Sequence, residues 1–153
     1  MTPTISGNVS EPAVIRKVLT TPATWAMVGL SSDATRTAYG VAQWMHDTLG
    51  YRIIPVHPRA EELWSEPGYP NLTQIPGGTA VTVVDCFVNS HRVGEIVDEA
   101  IFNKVRLGIE VIWLQLGVID EDAAKRAIRA GLNVVMDTCP KVQFDMLGLH
   151  QTI

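Results

Sequence analysis

The chain has 153 residues, of which 46% are hydrophobic and 18% charged, and its formal net charge is −4. That length suits one domain with a core of its own, and the balance is that of a compact globular chain rather than a disordered one. The acidic balance offers no basic field for a nucleic-acid backbone or an anionic membrane surface, so those partners are not expected.

The opening "MTPTISGNVSEP" has neither the basic region nor the apolar stretch of a signal peptide, and no later apolar run approaches a membrane span. A cytoplasmic protein is expected. Cys86 and Cys139 are too few for a disulfide framework and are read as reduced thiols.

Ser10, Glu11 and Pro12 form a helix start, and Val14, Ile15, Val18 and Leu19 follow at helical spacing until Pro22. This helix is read as an appendage over residues 1–22, ahead of a main domain over 23–153. "TWAMVGL" (24–30) suits a strand buried on both faces. The loop "SSDATR" follows, and from Thr37 a helix carries Ala38, Val41, Ala42, Met45 and Leu49 on one face until Gly50 closes it. "YRIIPVH" (51–57) reads as a second strand, in which Pro55 implies an edge or a kink. Residues 58–78 are rich in Pro and Gly and are expected to be a long connection with one helical turn near "AEELW".

A third strand is expected at 80–88 and a helix at 91–106, with Val93, Ile96, Val97, Ala100, Ile101 and Val105 on its apolar face. "EVIWLQL" (110–116) is a fourth strand. Asp120 caps the next helix, where Glu121 and Asp122 favour the positive end, and Gly131 ends it before the fifth strand, "LNVVMD". Strands alternating with helices imply parallel pairing and right-handed crossovers. The fold class expected is therefore α/β, a Rossmann-like doubly wound parallel sheet of about five strands with helices on both faces. In such sheets a ligand lies beyond the carboxyl ends of the strands.

At the end of the first strand, "GLSSDA" fits the dinucleotide fingerprint imperfectly: Gly29 stands first, Ser31 replaces the middle glycine and Ala34 takes the last place. Either this is a plain strand-to-helix turn, or Gly29 permits the tight turn while Ser31 and Ser32 hold phosphate oxygens at a helix N-terminus. After the second strand, where a NAD site would place an acid, the chain has Arg59, whose planar fork suits a ribose phosphate and favours NADP or coenzyme A. Arg36 is a second candidate for the pyrophosphate; both arginines are equally readable as solvated surface groups. Cys139 follows the last strand with Pro140 and Lys141 behind it. If 140–147 is a helix, Pro140 takes its first position and Cys139 caps it. That makes Cys139 either a thiol poised toward a ligand thiol or a redox partner, or else a small buried hydrophobe.

The four histidines, His46, His57, His91 and His150, show no metal-ligand spacing, and neither a nucleoside-triphosphate loop nor a serine-hydrolase elbow is present. Asp85 and Asp137 near strand ends are possible acids or loop-orienting groups. Trp44 and Trp64 are candidates for stacking on a base, and Trp113, within a strand, is read as core.

Taken together, "WAMVGLSSDATRTAYGVAQWM", "YRIIPVHPRAEELW", "YPNLTQIP", "VIWLQLGV" and "AGLNVVMDTCPK" resemble the small stand-alone coenzyme A-binding protein family, which is similar to the N-terminal CoA-binding domain of the succinyl-CoA synthetase α subunit. The resemblance runs from about residue 24 to 147. It implies a phosphate loop of Gly29, Ser31 and Ser32, an R-x-x-Y of Arg36 and Tyr39, and an adenosine-side turn of Pro58 and Arg59. It also implies an aromatic at Phe87, Gln115 and Gly117 in the fourth-strand segment, and Cys139, Pro140 and Lys141 beside the pantetheine arm. His57, Val88, Thr138 and Gln143 depart from the family pattern, where Asn, a basic residue, Arg and Glu are usual.

The reading is a binder of coenzyme A or an acyl-CoA that does no chemistry of its own, since the synthetase needs a second domain carrying a phosphorylated histidine. Disulfide exchange between Cys139 and the CoA thiol is a further expectation, and the protein partner is unknown. Two alternatives stand beside it: an NADP-dependent oxidoreductase sharing the loop and Arg59, and a ligand-free protein interaction module.

Overall fold

The computed structural model describes residues 7–149; residues 1–6 of the expected appendage, and His150, lie outside the described residues. The chain order is α1 (Pro12–Thr20), β1 (Thr24–Val28), α2 (Thr37–Trp44), β2 (Arg52–Val56), β3 (Val83–Cys86), α3 (Val93–Phe102), α4 (Lys104–Leu107), β4 (Val111–Leu114), α5 (Glu121–Arg129), β5 (Asn133–Val135) and α6 (Pro140–Met146). All strand pairs are parallel, in the order β2-β1-β3-β4-β5. The expected five-stranded doubly wound sheet is what the chain forms.

The strands are continuous apolar runs because both faces are covered. Ala26, Val28, Val84, Ile112 and Leu114 face a layer containing Val93, Val97 and Ala100 of α3 and Ala123, Ala124 and Ala127 of α5. Trp25, Met27, Ile53, Val83 and Trp113 face the other layer, with Ile15, Val18 and Leu19 of α1 and Ala38, Val41 and Ala42 of α2. Each fully buried Val, Leu or Ile contributes about 1.5–3 kcal/mol relative to its exposed state. The chain ahead of α1 also reaches β5: Ser10 N–H donates to Val134 O at 2.8 Å, and Met136 N–H to Ser10 Oγ at 3.0 Å.

β2 lies at the edge of the sheet, which explains how Pro55 is accommodated. Tyr69 covers part of that edge, its N–H donating to Pro55 O at 3.1 Å and its carbonyl accepting from His57 N–H at 3.0 Å. α2 continues into a π-helical turn, Met45–Leu49, which Gly50 closes at φ 72°.

Three local expectations need correction. The segment around "AEELW" is not a helical turn: Leu63 and Glu66 exchange both backbone hydrogen bonds at 2.9 Å, with Trp64 and Ser65 at φ 50° and 67° between them. Arg52 pins that hairpin turn through Glu66, Nε to Oε1 at 2.6 Å. The expected third strand shrinks from 80–88 to Val83–Cys86. The expected helix over 91–106 breaks at Asn103, whose Nδ2 donates to Glu99 O at 2.9 Å and Thr73 Oγ1 at 3.1 Å. Past that break Val105 turns outward and is 92% exposed.

No helix among the described residues is long and apolar enough to cross a membrane.

Candidate functional site

Parallel strands leave their carboxyl ends on one side, and β1 is the point where the order reverses, with β2 on one flank and β3 on the other. A cleft of about 720 Å³ opens there. Its floor depends on Gly29. At φ 102° this residue donates its N–H to Val56 O at 2.8 Å, and a Cβ built on it would lie 2.9 Å from Phe87 O. Only glycine lets the loop after β1 pass the loop after β3 this closely.

Beyond Gly29, Ser31 is buried and its Oγ accepts from Asp33 N–H at 3.3 Å. Asp33 in turn accepts from the Thr35 hydroxyl at 2.6 Å and the Thr35 N–H at 3.0 Å. These bonds, with the nearby charges of Arg36 and Arg59, hold the Asp33 carboxyl below the usual carboxylate range. Arg36 takes the N-cap position of α2 and makes no side-chain cap bond there. The positive end of the helix, with Thr37 and Ala38, therefore faces the cleft without a capping side chain.

The loop after β2 supplies His57, Pro58 and Arg59. His57 Nδ1 accepts from Arg59 N–H at 3.2 Å, which leaves Nε2 as the donor of the neutral ring. The opposite wall comes from Phe87, Val88, Asn89 and Arg92 at the end of β3 and the start of α3. Pro70 and Asn71 complete it. They are held by the segment that follows: Arg106 donates to the carbonyls of Leu72, Thr73 and Ile75, while Glu99 accepts from Leu72 N–H and the Thr73 hydroxyl, both at 3.0 Å.

Of the residues singled out in the sequence, Gly29, Ser31, Arg36, Pro58, Arg59 and Phe87 meet in this cleft. Ser32 does not line it: its hydroxyl donates to Glu61 Oε2 at 2.6 Å, and this bond, opposed by a smaller burial effect, keeps the Glu61 carboxyl below its usual range. The Tyr39 ring packs 5.5 Å from the Trp64 ring, and His46 stacks on Trp64 at 4.8 Å, so Trp64 is engaged with side chains of the α2 arm.

Gln115, Gly117, Cys139, Pro140 and Lys141 gather instead at the ends of β4 and β5. From β1 to β5 is three strand spacings, about 14 Å. Gln115 is buried, and its Nε2 donates to both Asp85 oxygens at 2.9 and 3.1 Å. Burial pushes the Asp85 carboxyl up to about 8, and burial with the neighbouring Asp85 pushes the Cys86 thiol up. Gly117 N–H donates to Asp137 Oδ1 at 2.7 Å, and Ser90 Oγ joins the same loop by accepting from Ile119 N–H at 2.9 Å. Trp113 Nε1 donates to Thr138 O at 2.9 Å. As expected, Cys139 is the N-cap of α6 with Pro140 in the first turn; its thiol is partly buried and makes no cap bond.

Sequence reading missed Asn71, Asn89 and Arg92. Asn89 Oδ1 accepts from His91 N–H at 3.0 Å and Arg92 N–H at 3.1 Å, a side-chain turn that delays the helix to Val93 and leaves Arg92 in the mouth of the cleft. An Asn two residues before the expected helix start was the available signal. Among the described residues no group of three or more His, Cys, Asp or Glu side chains is placed to hold a metal ion.

Residues 23–145 match the family described as CoA binding domain. The uncharacterized protein YneT of Bacillus subtilis (strain 168) is 32% identical over 130 residues, covering 85% of this chain and 91% of that protein. A solved structure of a hypothetical protein from Pyrococcus horikoshii OT3 superposes with a TM-score of 0.79 at 30% identity, covering 95% of this chain and 96% of the other. The dinucleotide forming acetyl-coenzyme A synthetase 1 of Ca. Korarchaeum cryptofilum, solved with phosphate and ADP, shares the fold at a TM-score of 0.64 and 20% identity, over 79% of this chain and 27% of its own.

Proposed function

Because the chain belongs to the CoA binding domain family, we propose that it binds coenzyme A or an acyl-CoA and catalyses no reaction of its own. The observation that carries this reading is the cleft at Gly29. There the close approach to Phe87 and a helix N-terminus without a capping side chain make a cradle for phosphate, with Arg36 and Arg59 at its rim. In this reading Gly29, Ser31 and Arg36 take the pyrophosphate, and Pro58 and Arg59 take the adenosine end. Ser32 contributes once its hydroxyl exchanges Glu61 for a phosphate oxygen. The pantetheine arm runs across the ends of β3 and β4, over Phe87, Gln115 and Gly117, toward Cys139, Pro140 and Lys141. Tyr39 acts from behind the loop through its packing on Trp64. The binding domain spans 23–153, with 1–22 as a helical appendage, and its expected place is the cytoplasm.

A thermal-shift titration tests it. A ligand that binds only the folded state raises the melting temperature by mass action. Coenzyme A is expected to raise it and NADP to leave it unchanged. A rise with NADP alone would replace this reading with the oxidoreductase, and no rise with either would favour the interaction module.

A further inference from the structure

The cleft holds more positive charge than its carboxylates answer. Asp33 is bound to Thr35 and sits 4.0 Å from Arg36, and Glu99 is spent on Leu72 and Thr73. Glu61, the carboxylate beside Arg59, is spent on Ser32. The side chains of Arg59 and Arg92 make no hydrogen bond or ion pair within the described residues, and both line the cleft. They come from opposite walls, Arg59 from the loop after β2 and Arg92 from the turn before α3, with the Gly29 loop of β1 between them. Two strand spacings separate those walls, about 10 Å. A nucleotide phosphorylated at two places fits an arrangement in which each wall brings one of these arginines.

Resting on the coenzyme A reading of this site, we propose that Arg92 is the cation that holds the pyrophosphate from the β3 wall, while Arg59 holds the ribose phosphate. The cleft is then a two-point clamp that reads the pyrophosphate of coenzyme A together with the 3′-phosphate of its ribose. The guanidinium fork suits such contacts, and charge-assisted bonds are the stronger ones.

Isothermal titration of the full chain with coenzyme A and with 3′-dephospho-coenzyme A tests this, using the wild type, Arg92→Gln and Arg59→Gln, with circular dichroism confirming the fold of each. The expected result is that Arg92→Gln weakens both ligands by about tenfold and keeps their ratio, whereas Arg59→Gln brings coenzyme A down to the level of the dephospho form. Unchanged affinities in Arg92→Gln, or a loss confined to coenzyme A, would overturn the assignment. A wild type that binds neither ligand would take down the coenzyme A reading and this one with it, and is distinguished by failing before any variant is compared.

Discussion

Gly29 and Phe87 are locked together at the centre of the site: a Cβ on residue 29 would meet the Phe87 carbonyl oxygen at 2.9 Å and its Cβ at 3.1 Å. Both contacts are with groups on or next to the backbone of the adjoining loop, so neither neighbour can swing aside. Gly29→Ala is therefore expected to cost about 1–3 kcal/mol, from the φ of 102° and from the displaced loop. It should also abolish retention of coenzyme A. Urea denaturation and a binding titration on the same preparation check this; a stable variant with unaltered affinity would contradict it.

Asp85 governs the pH dependence. Its carboxyl titrates near 8 in the folded protein, against an ordinary value of 3.8. Between those values the folded state holds a proton that the unfolded state has lost, so stability falls as pH rises from about 4 to about 8 and then levels off, by on the order of 5 kcal/mol at most. Asp85→Asn removes the titrating group and keeps an acceptor for Gln115 Nε2. The variant is expected to melt higher than the wild type at pH 8, with a flatter profile between pH 5 and 8. Parallel profiles for the two proteins would count against this.

Much of the architecture can be read directly in the sequence. Trp25–Val28 of β1 and all of β4 are buried, Pro55 marks an edge, and Asp120 caps α5 by accepting from Ala123 N–H at 3.0 Å. What is not legible depends on partners far along the chain. The apolar period continues through Ile101 to Val105, yet the helix breaks because Asn103 binds Thr73, 30 residues away. Ser32 reads as a phosphate donor, and only the fold brings up Glu61, 29 residues on, to take its hydroxyl. Part of the cleft is visible as Gly29, Ser31, Arg36, Pro58, Arg59 and Phe87. Arg92 is hidden because a side-chain turn at Asn89, rather than periodicity, decides where α3 begins.

Arg106 is expected to matter for the cleft although it lies outside it. Its guanidinium donates to the carbonyls of Leu72, Thr73 and Ile75 and to Asn103 Oδ1. Arg106→Ala removes all four of these bonds, leaving Leu72 O only its bond from Ile75 N–H, and is expected to destabilise the fold by about 2–3 kcal/mol. It should also speed amide exchange at Ile75, whose N–H is bonded to Leu72 O at 3.1 Å. Unchanged exchange at Ile75 would show that other contacts hold this wall.

Cys139 carries the redox expectation. With coenzyme A disulfide as oxidant, its thiolate attacks one sulfur, forms the Cys139–CoA disulfide and releases the other coenzyme A as a thiolate. A mass increase reversed by dithiothreitol is expected for the wild type and absent in Cys139→Ser, since Cys86 is fully buried with its thiol held protonated. An equal adduct on Cys139→Ser would refute the assignment.

Native mass spectrometry of freshly purified protein, repeated after addition of reduced coenzyme A, decides whether the chain binds coenzyme A. A complex of one protein chain with one coenzyme A is expected, present from the start or formed on addition. Bare protein alone at a saturating excess of coenzyme A would contradict it.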